Sequence, residues 1–176
     1  VGGPPTALYC AQAHAAPLAF EMSIGRERLI VNCGSHRSPQ WRMAGRSTAA
    51  HSSLTLADTN AIELEEPGGV GKRRCTVTAS RMEDDGSTWL EAAHDGYAPF
   101  GVVCGRRYYL AKNGGLKGED TLSWQGTKKP AGHPFAVRFH LHPDVQASLV
   151  RDGEAVLLRL GKGMGLTFHA GGAALS

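Results

Sequence analysis

The chain has 176 residues, of which 41% are hydrophobic and 20% charged, and carries a formal net charge of +3. That length supports one well-packed domain rather than two. The scattered basic residues lack the interleaved aromatics of a nucleic-acid platform, which excludes that class of partner.

Twenty-three glycines and nine prolines favour short strands joined by tight turns. The opening Gly2-Gly3-Pro4-Pro5 reads as a connecting segment, and the start at Val1 leads us to expect a piece of a longer protein. Residues 18–23 alternate apolar with smaller or polar residues, Gly25-Arg26 turns the chain, and 29–33 is apolar on both faces. A hairpin with an interior second strand is expected there. Asn32 sits within that second strand, where its carboxamide needs partners. Residues 35–45, with Pro39 and Trp41-Arg42, are expected as a polar loop forming a site wall.

The stretch Arg46-Ser47-Thr48-Ala49-Ala50-His51-Ser52-Ser53 follows. Period two from Leu54 and Leu56 puts His51, Ser53 and Thr55 on the opposite, polar face, so His51 is expected to look into solvent or a cleft. Strands at 62–64 and 75–79 flank the turn Pro67-Gly68-Gly69-Val70-Gly71. A further pair at 89–93 and 102–110 is joined through His94-Asp95-Gly96-Tyr97-Ala98-Pro99. An edge crossing at Glu119-Asp120-Thr121-Leu122 precedes an exposed loop at Lys128-Lys129-Pro130. Phe135, Val137, Phe139 and Leu141 alternate strictly with Ala136, Arg138, His140 and His142, the pattern of a strand packed on one face. Val156, Leu158 and Leu160, a turn over 161–165, then Leu166 and Phe168 repeat the style, and the Gly171-Gly172 tail is expected to fray. About ten short strands without a helix-length amphipathic segment predict an all-β, antiparallel sandwich or barrel with few or no helices. No apolar run approaches the ~20 residues of a membrane helix. Cys10, Cys33, Cys75 and Cys104 form no CxxC pair and are expected as thiols.

Two imidazoles and one oxygen, from His14, Asn32 and His51, have the donor types of a partly open zinc or other divalent-metal site. A buried Asn32 satisfied by backbone groups is the alternative. His140-x-His142 has cupin-like spacing, but Val145 and Gln146 stand where a cupin needs glutamate, which leaves an exposed, partly basic strand face. His94-Asp95-Gly96-Tyr97 offers a proton donor or a sugar-contacting edge, or merely an Asp-Gly turn. The Gly161-Lys162-Gly163-Met164-Gly165 run reads as a hairpin connection, because no helix follows it to bind phosphate.

Several blocks, in order, resemble the C-terminal β domain of the heparinase II/III-like polysaccharide lyases. They are His14 with Phe20-Glu21-Met22-Ser23, Leu29-Ile30-Val31-Asn32-Cys33-Gly34, Trp41-Arg42 with the His51 stretch, His94-Asp95-Gly96-Tyr97, Gly118-Glu119-Asp120 and Arg138-Phe139-His140-Leu141-His142-Pro143. The resemblance implies a single super-sandwich domain over 1–176, preceded by an α/α toroid supplying the other half of the cleft. It implies β-elimination on a uronic-acid polysaccharide, with a base and an acid close to the sugar. On this reading His51 and Tyr97 are catalytic, Arg42, Arg46 and Gln12 contact substrate, and His14, Asn32 and His51 hold zinc or another divalent metal. Asn32 stands where such lyases often have aspartate, and Gln12 where some have a catalytic histidine. The partners implied are an acidic polysaccharide and the toroid, and a periplasmic location is the family's usual one. A non-catalytic carbohydrate-binding or structural sandwich is the competing reading.

Overall fold

β1 (Met22–Ile24) and β2 (Glu27–Val31) form the expected antiparallel hairpin. β2 is the central strand of a three-stranded sheet in the order β1-β2-β9, where β9 is His140–Leu141. Its Leu29, Ile30 and Val31 are all buried, as a strand apolar on both faces must be. The computed structural model describes residues 3–6, 9–36, 38–66, 68–127 and 132–176. Gly2, Pro67 and Lys128-Lys129-Pro130, assigned above to a connection, a turn and a loop, lie outside the described residues.

The stretch expected as one strand over 135–141 is divided. β8 (Phe135–Val137) pairs with β3 (Leu54–Leu56), and after Arg138 and Phe139 the chain re-pairs as β9 with β2. The division follows from what the strand passes. Arg138 N–H donates to the Ser53 carbonyl at 3.0 Å and His140 N–H to Ser52 Oγ at 2.8 Å, so residues 52 and 53 sit in the notch between two pairings.

β10 (Gln146–Val150), β11 (Ala155–Arg159) and β12 (Gly165–His169) form a meander. Leu158 and Leu160 pack on Leu29 and Ile30, with Phe139, Leu141 and Phe168 around them. Each such fully buried aliphatic side chain contributes about 1.5–3 kcal/mol. β4 (Val77–Asp84), β5 (Ser87–His94), β6 (Val102–Leu110) and β7 (Leu116–Trp124) build a four-stranded antiparallel sheet in sequence order. Its Val102 and Cys104 meet Leu54, Leu56, Ala61 and Tyr97 in a second core. The architecture is an all-β antiparallel sandwich.

Three expectations need correction. Residues 35–45 are not wholly loop, since Pro39–Arg46 is the helix α1. Proline at its first turn and Arg46 in its last are start and stop signals that the polar composition obscured. Residues 62–64 form no strand and contribute only the isolated bridge Leu64 to Val70. β3 has no solvent face: Leu54, Thr55 and Leu56 are all buried.

Candidate functional site

The His51 stretch is held by its small hydroxyl residues. Ser52 Oγ donates to the Val31 carbonyl at 2.8 Å, and Ser53 Oγ to the Pro17 carbonyl at 2.9 Å. Thr48 Oγ1 donates to the Ala15 carbonyl and accepts the Ala61 N–H at 3.0 Å. Ala15 N–H in turn donates to the Arg46 carbonyl at 2.8 Å. Arg46, 3% exposed, spends its guanidinium on the carbonyls of Ala13, Glu65 and Gly69. Residues 13–15 are thereby laid along residues 46–48, and His14 arrives opposite His51.

The proton positions in this pair follow from the partners. His51 Nδ1 lies 2.7 Å from the Ser47 carbonyl, which can only accept, so Nδ1 carries hydrogen. In the neutral ring Nε2 is then a lone pair, and it accepts from His14 Nδ1–H across 2.8 Å. His14 Nε2 is left bare and accepts from Ser35 Oγ–H at 3.1 Å. The rings meet edge to face at 77°. Burial, aided by the Arg46 guanidinium, lowers the His14 pKa. Burial also lowers that of His51, the Ser47 bond opposing it and the neighbouring His14 and His140 adding to it. Both shifts favour the neutral rings that this hydrogen-bond order requires.

Ser35 reaches His14 because the chain turns sharply after β2. Gly34 has φ 70°, and a Cβ on Gly45 of α1 would come within 3.0 Å of the Gly34 carbonyl. Bare glycine at both places lets helix and loop touch. Beside them, Cys33 is exposed with its Sγ 3.6 Å from His140 Nδ1. His140 Nε2 lies 2.9 Å from the Ala49 carbonyl and donates to it, leaving Nδ1 to face the thiol. His142, two residues on, accepts the Asp144 N–H at Nδ1. His140 and His142 thus share a strand face but not a site. Neither Ser35 nor the Cys33 and His140 pair was among the expected site residues, because only the fold brings positions 33 and 140 together.

Of the expected site residues, His14 and His51 meet. The others do not join them. His51 is 4% exposed and lies behind His14; it caps the 3-10 turn Thr48–Ala50 ahead of β3, so the strand parity that turned it toward solvent or a cleft does not apply. Tyr97 is fully buried, donating its hydroxyl to the Leu54 carbonyl at 3.1 Å, and burial pushes its pKa to about 12. It is a core residue, out of reach of substrate. Arg46 is likewise buried and fully committed, so it offers no clamp to a carboxylate. Arg42 and Gln12 are exposed.

The metal implied by the resemblance does not fit this donor set. Asn32 Oδ1 accepts the Ser52 N–H at 2.8 Å, and its Nδ2 donates to Glu21 Oε1 at 3.2 Å, so both ends of the carboxamide are spent. Ligand nitrogens about 2.0–2.1 Å from a tetrahedral zinc stand about 3.3 Å apart. Those of His14 and His51 are 2.8 Å apart and are joined through a hydrogen. Among the described residues no group of three or more His, Cys, Asp or Glu side chains lies close enough to hold a metal ion.

The family model for the heparinase II/III-like C-terminal domain matches residues 1–176, the whole chain. The chain belongs to that family. It is a polysaccharide-lyase-related module. It is 37% identical to FtsZ-localized protein C of Caulobacter vibrioides, in an alignment covering 90% of this chain and 30% of the relative. It therefore spans less than a third of that protein's length. No solved structure matches it. Among the described residues no helix is long and apolar enough to cross a membrane.

Proposed function

We propose that this domain is the C-terminal half of a lyase-related protein acting on a uronic-acid polysaccharide by β-elimination, paired with an N-terminal α/α toroid that completes the cleft. The observation that carries this reading is the ordered run Ser35, His14, His51 and Ser47 carbonyl, which holds a neutral imidazole near the surface with a bare Nε2. Such a group suits general-base removal of the proton beside the uronate carboxylate, once substrate displaces the Ser35 hydroxyl. His51 is then a positioning residue. The acid that protonates the leaving oxygen is sought in the toroid, because Tyr97 is committed to the core. Exposed Arg42 and Gln12 are the candidates for contact with the acidic sugar.

The test is turnover by the protein carrying its upstream domain. Unsaturated uronide should accumulate, detected by its ultraviolet absorbance, from at least one acidic glycan, and His14→Ala should abolish it. Absence of product from glycosaminoglycans, alginate and bacterial exopolysaccharides alike would refute the reading.

A second reading, a non-catalytic carbohydrate-binding or structural sandwich, is favoured by the consumption of Tyr97 and Arg46 in packing and by Gln12 at a position where some members carry histidine. The similarity to a protein named for its localisation with FtsZ, rather than for a reaction, supports the same side. Glycan binding that survives His14→Ala, without turnover, would select it.

A further inference from the structure

We infer that a hydrogen-bonded histidine pair replaces the metal of the family's β domain in this chain, and that Asn32 has become a strut of the fold. The inference deepens the proposed function by fixing the chemistry at its centre, and it stands whether or not any glycan is turned over.

Three features of the geometry carry it. The first is direction. Two histidines binding one cation must each present a lone pair to it. His51 can present only Nε2, since Nδ1–H is held by the Ser47 carbonyl, and that lone pair is occupied by His14 Nδ1–H. His14 would have to give up a proton and turn away for a metal to enter. The second is the missing third donor. Asn32 bridges β2 to the His51 stretch through Ser52 N–H and reaches back to Glu21 near β1. Turning its oxygen toward the imidazoles would orphan the part-buried Ser52 N–H. The third is charge. A neutral carboxamide and two neutral rings bring no negative charge to offset that of a divalent cation.

The centre therefore offers an imidazole base oriented by a second imidazole, in place of Lewis-acid chemistry. Ser35 caps its outer nitrogen. The arrangement has the logic of a base held by an orienting group, with His51 as orienter and the Ser47 carbonyl fixing the orienter in turn.

The experiment is a zinc titration of the wild-type chain, read by imidazole nitrogen-15 shifts and by elemental analysis after gel filtration. We expect the His14 and His51 resonances to be unmoved by equimolar zinc. Any zinc retained should perturb other histidines. Asn32→Asp supplies the missing charge, yet it should still leave both resonances unmoved, because the side chain faces Ser52 and the His51 lone pair stays occupied by His14 Nδ1–H. Movement of both His14 and His51 signals with one zinc retained per chain, in wild type or in Asn32→Asp, would overturn the inference. Because the readout is on the unsubstituted protein, it does not depend on a histidine variant folding. It also needs no glycan, so its failure is distinguishable from failure of the lyase reading.

Discussion

Arg106 on β6 and Asp120 on β7 form a two-pronged ion pair, Nε to Oδ1 at 2.6 Å and Nη2 to Oδ2 at 3.0 Å, inside the sandwich. The remaining nitrogen, Nη1, donates to the Leu18 and Ser52 carbonyls, and the guanidinium lies over Phe20 and Tyr108. One side chain thus ties the four-stranded sheet to the backbone beside His51. Asp120→Ala would leave that cation buried without its counter-ion. We expect a loss of about 3 kcal/mol in chemical denaturation. Glu91→Ala, which removes an exposed partner of Arg107, should cost about 0–1 kcal/mol. Equal effects would mean that Arg106 is hydrated after all.

His94 offers a pH test away from the proposed centre. It is 3% exposed, and burial lowers its pKa from 6.5 to about 4. The unfolded chain binds the proton more tightly, so this group's contribution is complete above pH 6.5 and is lost as the pH falls toward 4. The full loss is about 3 kcal/mol. Denaturation midpoints of wild type and His94→Gln, measured from pH 7 to pH 4, should converge at the acid end. Parallel curves would contradict the burial of a neutral ring.

Tyr97→Phe separates structure from chemistry. The hydroxyl serves the Leu54 and Thr59 carbonyls, so its removal should cost about 1 kcal/mol of stability. Any glycan turnover by the longer protein should be unchanged at a temperature where both forms are folded. A large fall in kcat with intact stability would restore Tyr97 to the reaction.

The four thiols should alkylate unequally. Cys33 is exposed beside His140, whereas burial pushes Cys75 to about 11 and Cys104 to about 12. Iodoacetamide at neutral pH should label Cys33 first, and Cys75 and Cys104 only once the chain unfolds. Mass spectrometry of the digested protein reads both.

The strands were legible wherever one periodicity governed a segment. Residues 102–110 form β6 as expected because inward Val102, Cys104 and Arg106 alternate with outward side chains. Residues 135–141 misled because strict alternation says which face is buried but not how many partners the strand has. Parity failed at His51 because the strand does not reach it: β3 is only Leu54–Leu56, and His51 caps the 3-10 turn Thr48–Ala50. The hydroxyls around His51 looked like site chemistry, and Thr48, Ser52 and Ser53 are instead its fastenings. Arg46 and Tyr97 carried the same ambiguity, since a side chain able to grip a sugar is equally able to satisfy buried carbonyls. The family resemblance implies His14 and His51 as ligands of one metal, whereas their direct contact and its hydrogen-bond order could come only from the fold and the position of the Ser47 carbonyl.

That order is open to direct measurement. Long-range proton–nitrogen correlation spectra of the imidazoles at neutral pH, without added metal, report which nitrogen of each ring is protonated. His14 and His51 should both carry hydrogen on Nδ1 and leave Nε2 bare. Hydrogen on Nε2 of either ring would contradict that order, because His14 could not then both donate to His51 and present a base to the surface.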